Sequence, residues 1–344
     1  MKNSLNLSIG IILLSVIWVT SVSAIELSEK IDLHGYGHMS YLTADKNTFL
    51  KADSGGTWDY RDIALLFTAN LHERSNAWIQ LHNIDGDSRV DWAFVDYTFG
   101  NGSTVKLGQI KLPFGFYNDY RDVAYIRPST LNPFMYQDVS EVIPEAYRGL
   151  GYSYQSAIAD GSILLEVYGG QIVDFEDRGE AFKTLIGGRV TYSAPMPGLE
   201  FMASIYQSGI EQETGESDDI QTLAFSVGYK PDDLDLKFEV ANKNVFEETI
   251  FSYYGQAAYA INDFWTPYVR YDYITTNKDK SSDPAFYQRS AVLGIGYRIN
   301  EYFGIRMEHH FNSGYGLAVV SGEVATGTGE KNWSMTAISL NFIF

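Results

Sequence analysis

The sequence contains no cysteine among its 344 residues, so disulfide bonds cannot contribute to the fold. Basic residues are also few. The 25 Lys and Arg stand against 43 Asp and Glu, and the formal net charge of −18 argues against nucleic-acid binding. After residue 24, no stretch is apolar and long enough to be a transmembrane helix. If the mature chain crosses a membrane, it must do so as a closed β-barrel, because only helices and closed barrels satisfy the backbone in lipid.

Residues 1–24 have the features of a secretory signal peptide. Lys2 precedes an apolar run from Ile9 to Val19, and Val22-Ser23-Ala24 offers small residues at a cleavage site. The apolar run is shorter than the roughly 20 residues that a spanning helix needs, which disfavours a membrane anchor. We therefore expect export through a cleaved signal peptide, 1–24, and a mature chain, 25–344, that forms one domain.

The mature sequence alternates between extended segments and turn signals along its whole length. We count sixteen segments, from Ile31–Leu42 to Asn332–Phe344. Every even-numbered segment is followed by a tight turn such as Arg74-Ser75. Every odd-numbered segment except the third is followed by a longer loop, such as Thr43–Asp59 or Gly209–Asp219. Short periplasmic turns, long external loops and an even strand count are typical of outer-membrane barrels.

Charged and apolar side chains fall on opposite faces of these segments. A charge on the lipid face near the membrane midplane costs about 2–4 kcal/mol, so the charged face must line the interior. Sixteen strands enclose more space than side chains can fill, so the interior is expected to hold water. The sequence predicts an all-β fold, namely a 16-stranded antiparallel transmembrane β-barrel with long external loops and short periplasmic turns.

The last segment alternates in the same way and ends on the aromatic Phe344. Ile338, Leu340 and Phe342 share its face. This pattern resembles the C-terminal signature of bacterial outer-membrane barrels. The aromatic content of 15% also suits the girdles at the two membrane interfaces. The resemblance implies the outer membrane of a Gram-negative bacterium, with outer-membrane lipid and lipopolysaccharide as partners.

A long loop, residues 113–147, follows the fifth segment. It is rich in aromatic residues, and long loops of this kind are usually functional. The stretch GQIKLPFGFY at 108–117, followed by RPS at 127–129, resembles the phosphate-selective porin family within the bacterial outer-membrane porin superfamily. The resemblance implies that residues 113–147 fold inward as a constriction loop. It also implies a homotrimer.

The implied function is passive diffusion of small hydrophilic solutes and ions through a water-filled lumen. The phosphate-selective family uses lysine-rich lumen ladders, whereas this loop has no lysine after Lys111. A general, mildly cation-preferring pore is therefore favoured. A substrate-specific anion or oxyanion channel, and a structural or partner-housing barrel, remain alternatives. The candidate constriction residues are Asp119, Arg121, Asp122, Arg127, Asp138, Glu141, Glu145 and Arg148, and strand parity places Lys106, Lys183, Arg189, Arg270, Asp272, Arg298, Arg306 and Glu308 on the lumen wall.

Catalysis and metal binding have little support in the sequence. Of the six histidines, the candidate for a catalytic site is His309-His310, which lies within a few residues of Ser313 near the outer end of a predicted strand. The two imidazoles point to opposite faces of a strand, so only one of them can serve such a site. No spacing of His, Asp and Glu typical of a metal site recurs. We expect neither an enzyme, nor a cofactor, nor a metal.

Overall fold

The computed structural model describes residues 25–140, 142–175, 180–212, 215, 217–320 and 329–344. The predicted signal peptide lies outside these residues. Within them, the chain folds into strands joined by turns and loops, with one five-residue helix, α1 (Gly316–Val320), near the end. The strands are β1 (Ile25–Ser28), β2 (Ile31–Ala44), β3 (Thr57–His72), β4 (Ser75–Ile84), β5 (Asp87–Thr98), β6 (Thr104–Lys111), β7 (Ala146–Ile158), β8 (Gly161–Ile172), β9 (Glu180–Ser193), β10 (Leu199–Gln212), β11 (Ser217–Tyr229), β12 (Leu234–Val245), β13 (Glu248–Tyr259), β14 (Trp265–Thr275), β15 (Tyr287–Arg298), β16 (Phe303–Ser313) and β17 (Asn332–Ile343).

Strands β2 to β17 form one closed antiparallel barrel. Each strand pairs with its neighbour in sequence, and β17 pairs with β2 through partners such as Phe342 and Gly37. The predicted barrel of sixteen antiparallel strands is therefore confirmed. No helix among the described residues is both long and apolar enough to span a membrane.

A short additional strand, β1, was not predicted. It pairs with the start of β2, with Ile25 opposite Leu33. Phe344 exchanges two backbone hydrogen bonds with Gly35, of 2.8 and 2.9 Å, just before this pairing begins. The hydrogen bonds between β17 and β2 therefore end at Phe344, and β1 takes over as the partner of β2 beyond that point.

Two of the predicted long loops are tighter than the sequence indicated. Residues 209 and 219 form a strand pair, so β10 and β11 extend through most of the predicted loop Gly209–Asp219. β12 and β13 are joined by Phe246 and Glu247 alone, both with positive φ, of 47° and 62°. A two-residue turn with positive φ at both positions matches the twist of a hairpin, but it normally carries Asn or Gly. Turn composition therefore gave no signal there.

The outer face of the barrel is apolar and exposed. Outward side chains include Leu107, Ile186 and Leu293, which are 57%, 66% and 55% exposed. This belt is the surface that sixteen tilted strands would present to lipid.

The interior is fuller than the sequence predicts. Inward side chains such as Ser208 and Gln288 are fully buried. At the end of the barrel that carries the longer loops, Phe49 packs edge-on against Phe134 and Trp333, with ring centroids 6.4 and 5.8 Å apart. These side chains belong to one apolar cluster inside the barrel. Residues between β6 and β7 fill interior space that the side chains of the strands alone would leave empty.

Partly exposed inward side chains lie near the short-turn end, on β4, β5 and β6. They include Trp78, Phe94 and Lys106. The described structure is thus filled toward the long loops and more open toward the short turns.

Candidate functional site

The described residues between β6 and β7, 112–140 and 142–145, form an inward segment. It consists of short 3-10 turns, among them Asn118–Tyr120 and Phe134–Tyr136. Its two ends are held together, because Leu112 donates a backbone hydrogen bond of 2.9 Å to Glu145. The side-chain amide of Asn118 donates to the carbonyl oxygens of Leu112 and Glu145, at 2.8 and 3.2 Å. The segment therefore leaves and re-enters the wall at one fixed point.

Glu239 on β12 holds the inward segment at two points from the far wall. Its buried carboxylate accepts the backbone N–H of Phe116 and the hydroxyl of Tyr136, both at 2.9 Å. On the next strand, Gln256 accepts the hydroxyl of Tyr117 at 2.8 Å. Long-range contacts of this kind place the segment across the interior rather than above it.

Glu308 on β16 holds the middle of the inward segment in the same manner. Its carboxylate accepts the backbone N–H groups of Thr130 and Leu131, at 2.9 and 3.0 Å. Arg270 on β14 donates to the carbonyl oxygen of Leu131 at 2.9 Å and is itself held by Asp272 at 2.7 Å. The wall thus binds the backbone at Thr130 and Leu131 through both a hydrogen-bond donor and a hydrogen-bond acceptor.

An arginine on β9 provides a third attachment. Arg189 donates to Asp119 of the inward segment at 2.7 Å and to the carbonyl oxygen of Gly115 at 3.0 Å. Glu166 on β8 holds the same guanidinium at 2.6 Å.

The neck of the inward segment carries a charged cluster. Lys111, the last residue of β6, donates to Asp122 and, at 3.0 Å, to Glu145. Arg89 on β5 donates to Glu145 at 3.1 Å. Burial raises the pKa of Glu145, but the charges of Lys111, Arg121 and Arg89 outweigh it and hold that pKa well below its ordinary value. Glu145 is therefore an ionised anchor.

Most of the candidate constriction residues take part in these contacts. Arg121 pairs with Asp138, and Arg127 donates to Asn132, so both arginines stay within the segment. Glu141 lies outside the described residues. The prediction that Arg148 belongs to the constriction is wrong. β7 begins at Ala146, and Tyr147 points inward, so Arg148 points outward and donates to Gln109 at 2.8 Å.

The predicted wall residues divide into two groups. The inward segment reaches Arg189, Arg270 and Glu308 as described, Arg306 donates to the carbonyl oxygen of Tyr125, and Asp272 orients Arg270. The second group does not join these contacts. Lys106 lies over the ring of Phe94 at 5.7 Å, and Arg298 is exposed at the end of β15. The prediction for Lys183 is wrong: an irregularity in the pairing of β9 with β10 turns Lys183 outward, next to inward Phe182, and it forms an exposed pair with Glu211 at 2.6 Å.

His310 has a different serine partner from the one that the sequence suggested. Its Nδ1 lies 3.3 Å from the hydroxyl of Ser290, and its Nε2 lies 2.9 Å from Glu308. The order serine, histidine, carboxylate is that of a hydrolase triad. However, Ser290 is fully buried, and the same Glu308 carboxylate binds the inward segment. A structural role explains all of these contacts.

Sequence reasoning missed a polar cluster on the wall formed by β2 to β5. His38, Asp62, His82 and Asp91, on β2 to β5, are all buried and face one another. The parity rule that selected the other wall residues also places His38, Asp62 and His82 on the inward face, and applying it to β2, β3 and β4 would have found them.

Comparison with known proteins supports the fold but not a family. No family model and no curated protein sequence matches the chain. Among solved structures, OmpF of Salmonella typhi, in a complex with daunomycin, has a TM-score of 0.64 at 13% identity, over 91% of this chain and 97% of that one. The outer-membrane channel DcaP of Acinetobacter baumannii has a TM-score of 0.63 at 10% identity, over 94% and 100%.

An anion-selective porin from Comamonas acidovorans is also similar. Its TM-score is 0.61 at 14% identity, over 91% of this chain and 99% of that one. These structures share with this chain the closed barrel, while their identities are too low to transfer a substrate. The chain therefore has the sixteen-stranded barrel fold of bacterial outer-membrane porins.

Proposed function

We propose that this protein is an outer-membrane porin for passive diffusion of small hydrophilic solutes and ions, and not an enzyme. The observation that carries the proposal is the inward segment, which polar side chains of the wall bind from several sides of a closed barrel. Such a segment reduces the free cross-section of the lumen, and charged groups around it set ion preference. Asp119, Arg121, Asp122, Arg127, Asp138 and Glu145 belong to this constriction.

The passage is narrow. The inward segment and long loops fill the interior toward one end, while the lining near Trp78, Phe94 and Lys106 is partly exposed. We therefore infer small ions and small solutes as cargo, with low conductance. The acidic net charge favours cations. A phosphate-type anion channel is the competing assignment, and the Comamonas neighbour's anion selectivity is its main support.

The same proposal covers location and assembly. We infer export through the cleaved signal peptide, residues 1–24, into the outer membrane of a Gram-negative bacterium, where lipid and lipopolysaccharide surround the apolar belt. A homotrimer is supported by a trimer form of OmpT from Vibrio cholerae, which matches with a TM-score of 0.57 at 12% identity, over 91% of this chain and 99% of that one.

The test is single-channel current of the refolded mature chain in a planar bilayer, with the reversal potential measured under a KCl gradient. We expect small steps and a cation-favouring reversal potential. Anion-favouring steps that phosphate blocks would assign the phosphate-type channel instead. Absence of any conductance would exclude both and favour a structural or partner-housing barrel.

A variant tests the constriction itself. Glu308→Gln removes the charge that holds the N–H groups of Thr130 and Leu131, so the inward segment should loosen and the conductance should rise. The control is Glu29→Gln, the same change at an exposed turn between β1 and β2. Equal conductance for the two variants and the parent protein would contradict the constriction role of the segment.

A further inference from the structure

A buried cluster of histidine and carboxylate side chains lies where the inward segment meets β4 and β5. His82, Asp91 and Asp122 each place one nitrogen or oxygen atom within 4.8 Å of the other two. The Nδ1 atom of His82 is 3.1 Å from Asp91. All three side chains are buried, so water competes little for these donors.

Around this cluster, hydrogen bonding is incomplete. The Nε2 atom of His82 is buried without a hydrogen-bond partner, and its nearest carboxylate, Asp62, is 3.6 Å away. Neither ring nitrogen of His38 has a partner, although Nδ1 lies 3.4 Å from Asp62. Unpaired polar groups at such depth are costly, and these nitrogens border the cluster on its Asp62 side.

The charges of the cluster indicate that an ion bound there would be a cation. Asp62, Asp91, Asp122 and Glu145 supply four carboxylates, and the ion pairs that they form contain two permanent cations, Lys111 and Arg89. The carboxylates therefore exceed these two cations by two charges, and His82, which lies between Asp62 and Asp91, offsets one of them when it is protonated. A divalent cation bound to His82 would take the place of that proton and neutralise the excess.

We propose that His82, Asp91 and Asp122 bind a divalent transition-metal ion, for which Zn²⁺ is the probe. One imidazole nitrogen and two carboxylate oxygens form a ligand set that suits zinc and its neighbours and disfavours Mg²⁺ and Ca²⁺, which prefer oxygen alone. Zinc bonds to such ligands are about 2.0–2.2 Å long. His82 Nδ1 and Asp91 are already 3.1 Å apart, and binding would draw Asp122 toward them.

The surrounding residues suit this role. With Nδ1 on the metal, the Nε2–H of His82 faces Asp62, the carboxylate–histidine–metal arrangement that orients a ligating imidazole. Lys111 now contacts Asp122 and also Glu145, so its ammonium keeps one carboxylate when the ion takes the other. The ion would join the inward segment, through Asp122, to the wall, through His82 and Asp91.

Isothermal titration of the refolded, EDTA-treated mature chain with ZnCl₂ tests this inference. We expect one saturable Zn²⁺ per chain, a raised Tm in its presence, and no comparable binding of Mg²⁺. His82→Gln should weaken Zn²⁺ binding about tenfold or more. His309→Gln, the same change at an outward-facing histidine of β16, should bind as the parent protein does.

Asp122→Asn is the second variant, because it changes the inward segment and leaves the barrel strands intact. It should lose both the binding and the Zn²⁺-dependent rise in Tm, even if His82→Gln folds poorly. The inference is overturned if the parent chain shows no saturable binding, or if His82→Gln and Asp122→Asn bind Zn²⁺ like His309→Gln. Conductance plays no part in this readout, so failure here leaves the porin proposal standing.

Discussion

At the scale of single residues, buried carboxylates attach the inward segment to the wall. Glu239 and Glu308 each accept hydrogen bonds from two groups of the segment, and Glu145 accepts from Lys111 and Arg89. An ionised carboxylate can be buried only when such partners replace its water. The charge that makes each glutamate costly to bury is therefore also what fixes the segment in place.

The depressed pKa of Glu145 predicts an acid-sensitive attachment. Since the folded protein holds this pKa below its ordinary value of 4.5, the ionised pairs stabilise the fold above that pH, and the stabilisation is lost as the pH falls below it. Glu145→Gln should lower the free energy of unfolding at pH 7 by about 3–5 kcal/mol. The same substitution should also reduce the amount by which the free energy of unfolding falls on acidification.

Urea unfolding of both proteins, measured between pH 7 and pH 3, checks this prediction. Glu29→Gln serves as the exposed control and should follow the parent protein throughout. A parent protein whose stability is the same at both pH values would show that the Glu145 pairs contribute nothing to the fold.

At the scale of elements, glycines shape the wall where the inward segment departs. Gly108 on β6 lies opposite Gly149 on β7, which in turn lies opposite Gly170 on β8. Gly108 has φ of +139°, and a Cβ there would lie 2.3 Å from the carbonyl oxygen of Ala93. The three strands therefore approach and bend in a way that side chains would prevent.

Gly108→Ala should accordingly destabilise the barrel by about 1–3 kcal/mol, because both the backbone angle and the close contact resist a methyl group. Gly296→Ala on β15 is the matched control, since its nearest heavy atom would be 3.6 Å away and its φ is ordinary. The urea midpoints of the two variants provide the comparison. Equal midpoints would contradict the steric argument.

Strand periodicity predicted the wall well and the inward segment only in part. Parity alone placed Arg270 and Glu308 inside, because alternation along a strand is a local property. Which wall the segment touches depends on three-dimensional folding of an aperiodic stretch, so the pairing of Asp119 with Arg189 left no trace in the sequence. Arg148 was misplaced because the loop boundary fell one or two residues late, and a shift of one residue reverses the face.

At the scale of the whole molecule, the inside and outside of the barrel exchange the usual roles of a soluble protein. The outer belt is apolar and exposed, while charged pairs such as Arg189 with Glu166 are buried within. The arrangement is stable only if lipid covers the belt, because water would leave that apolar surface unburied. The stability of this fold therefore depends on the medium that covers the belt.

An arginine in the middle of that belt should be costly. Leu223→Arg on β11 places a charge on the outward face, and we expect a loss of about 2–4 kcal/mol in lipid vesicles. Leu223→Met keeps the position apolar and should cost less than about 1.5 kcal/mol. Urea unfolding in vesicles measures both. A similar cost for the two variants would argue that this face does not meet lipid.

The junction of β17 and β2 has a consequence for how the barrel is assembled. Every other strand pair joins neighbours in sequence and has low contact order, whereas this one joins Phe342 to Gly37 across nearly the whole chain. Loop-closure entropy grows only slowly with length, so the junction is kinetically late rather than thermodynamically weak. Until the pairing of β17 with β2 forms, both strands present open edges that are prone to self-association. Refolding yield should therefore depend on how fast this last ladder forms.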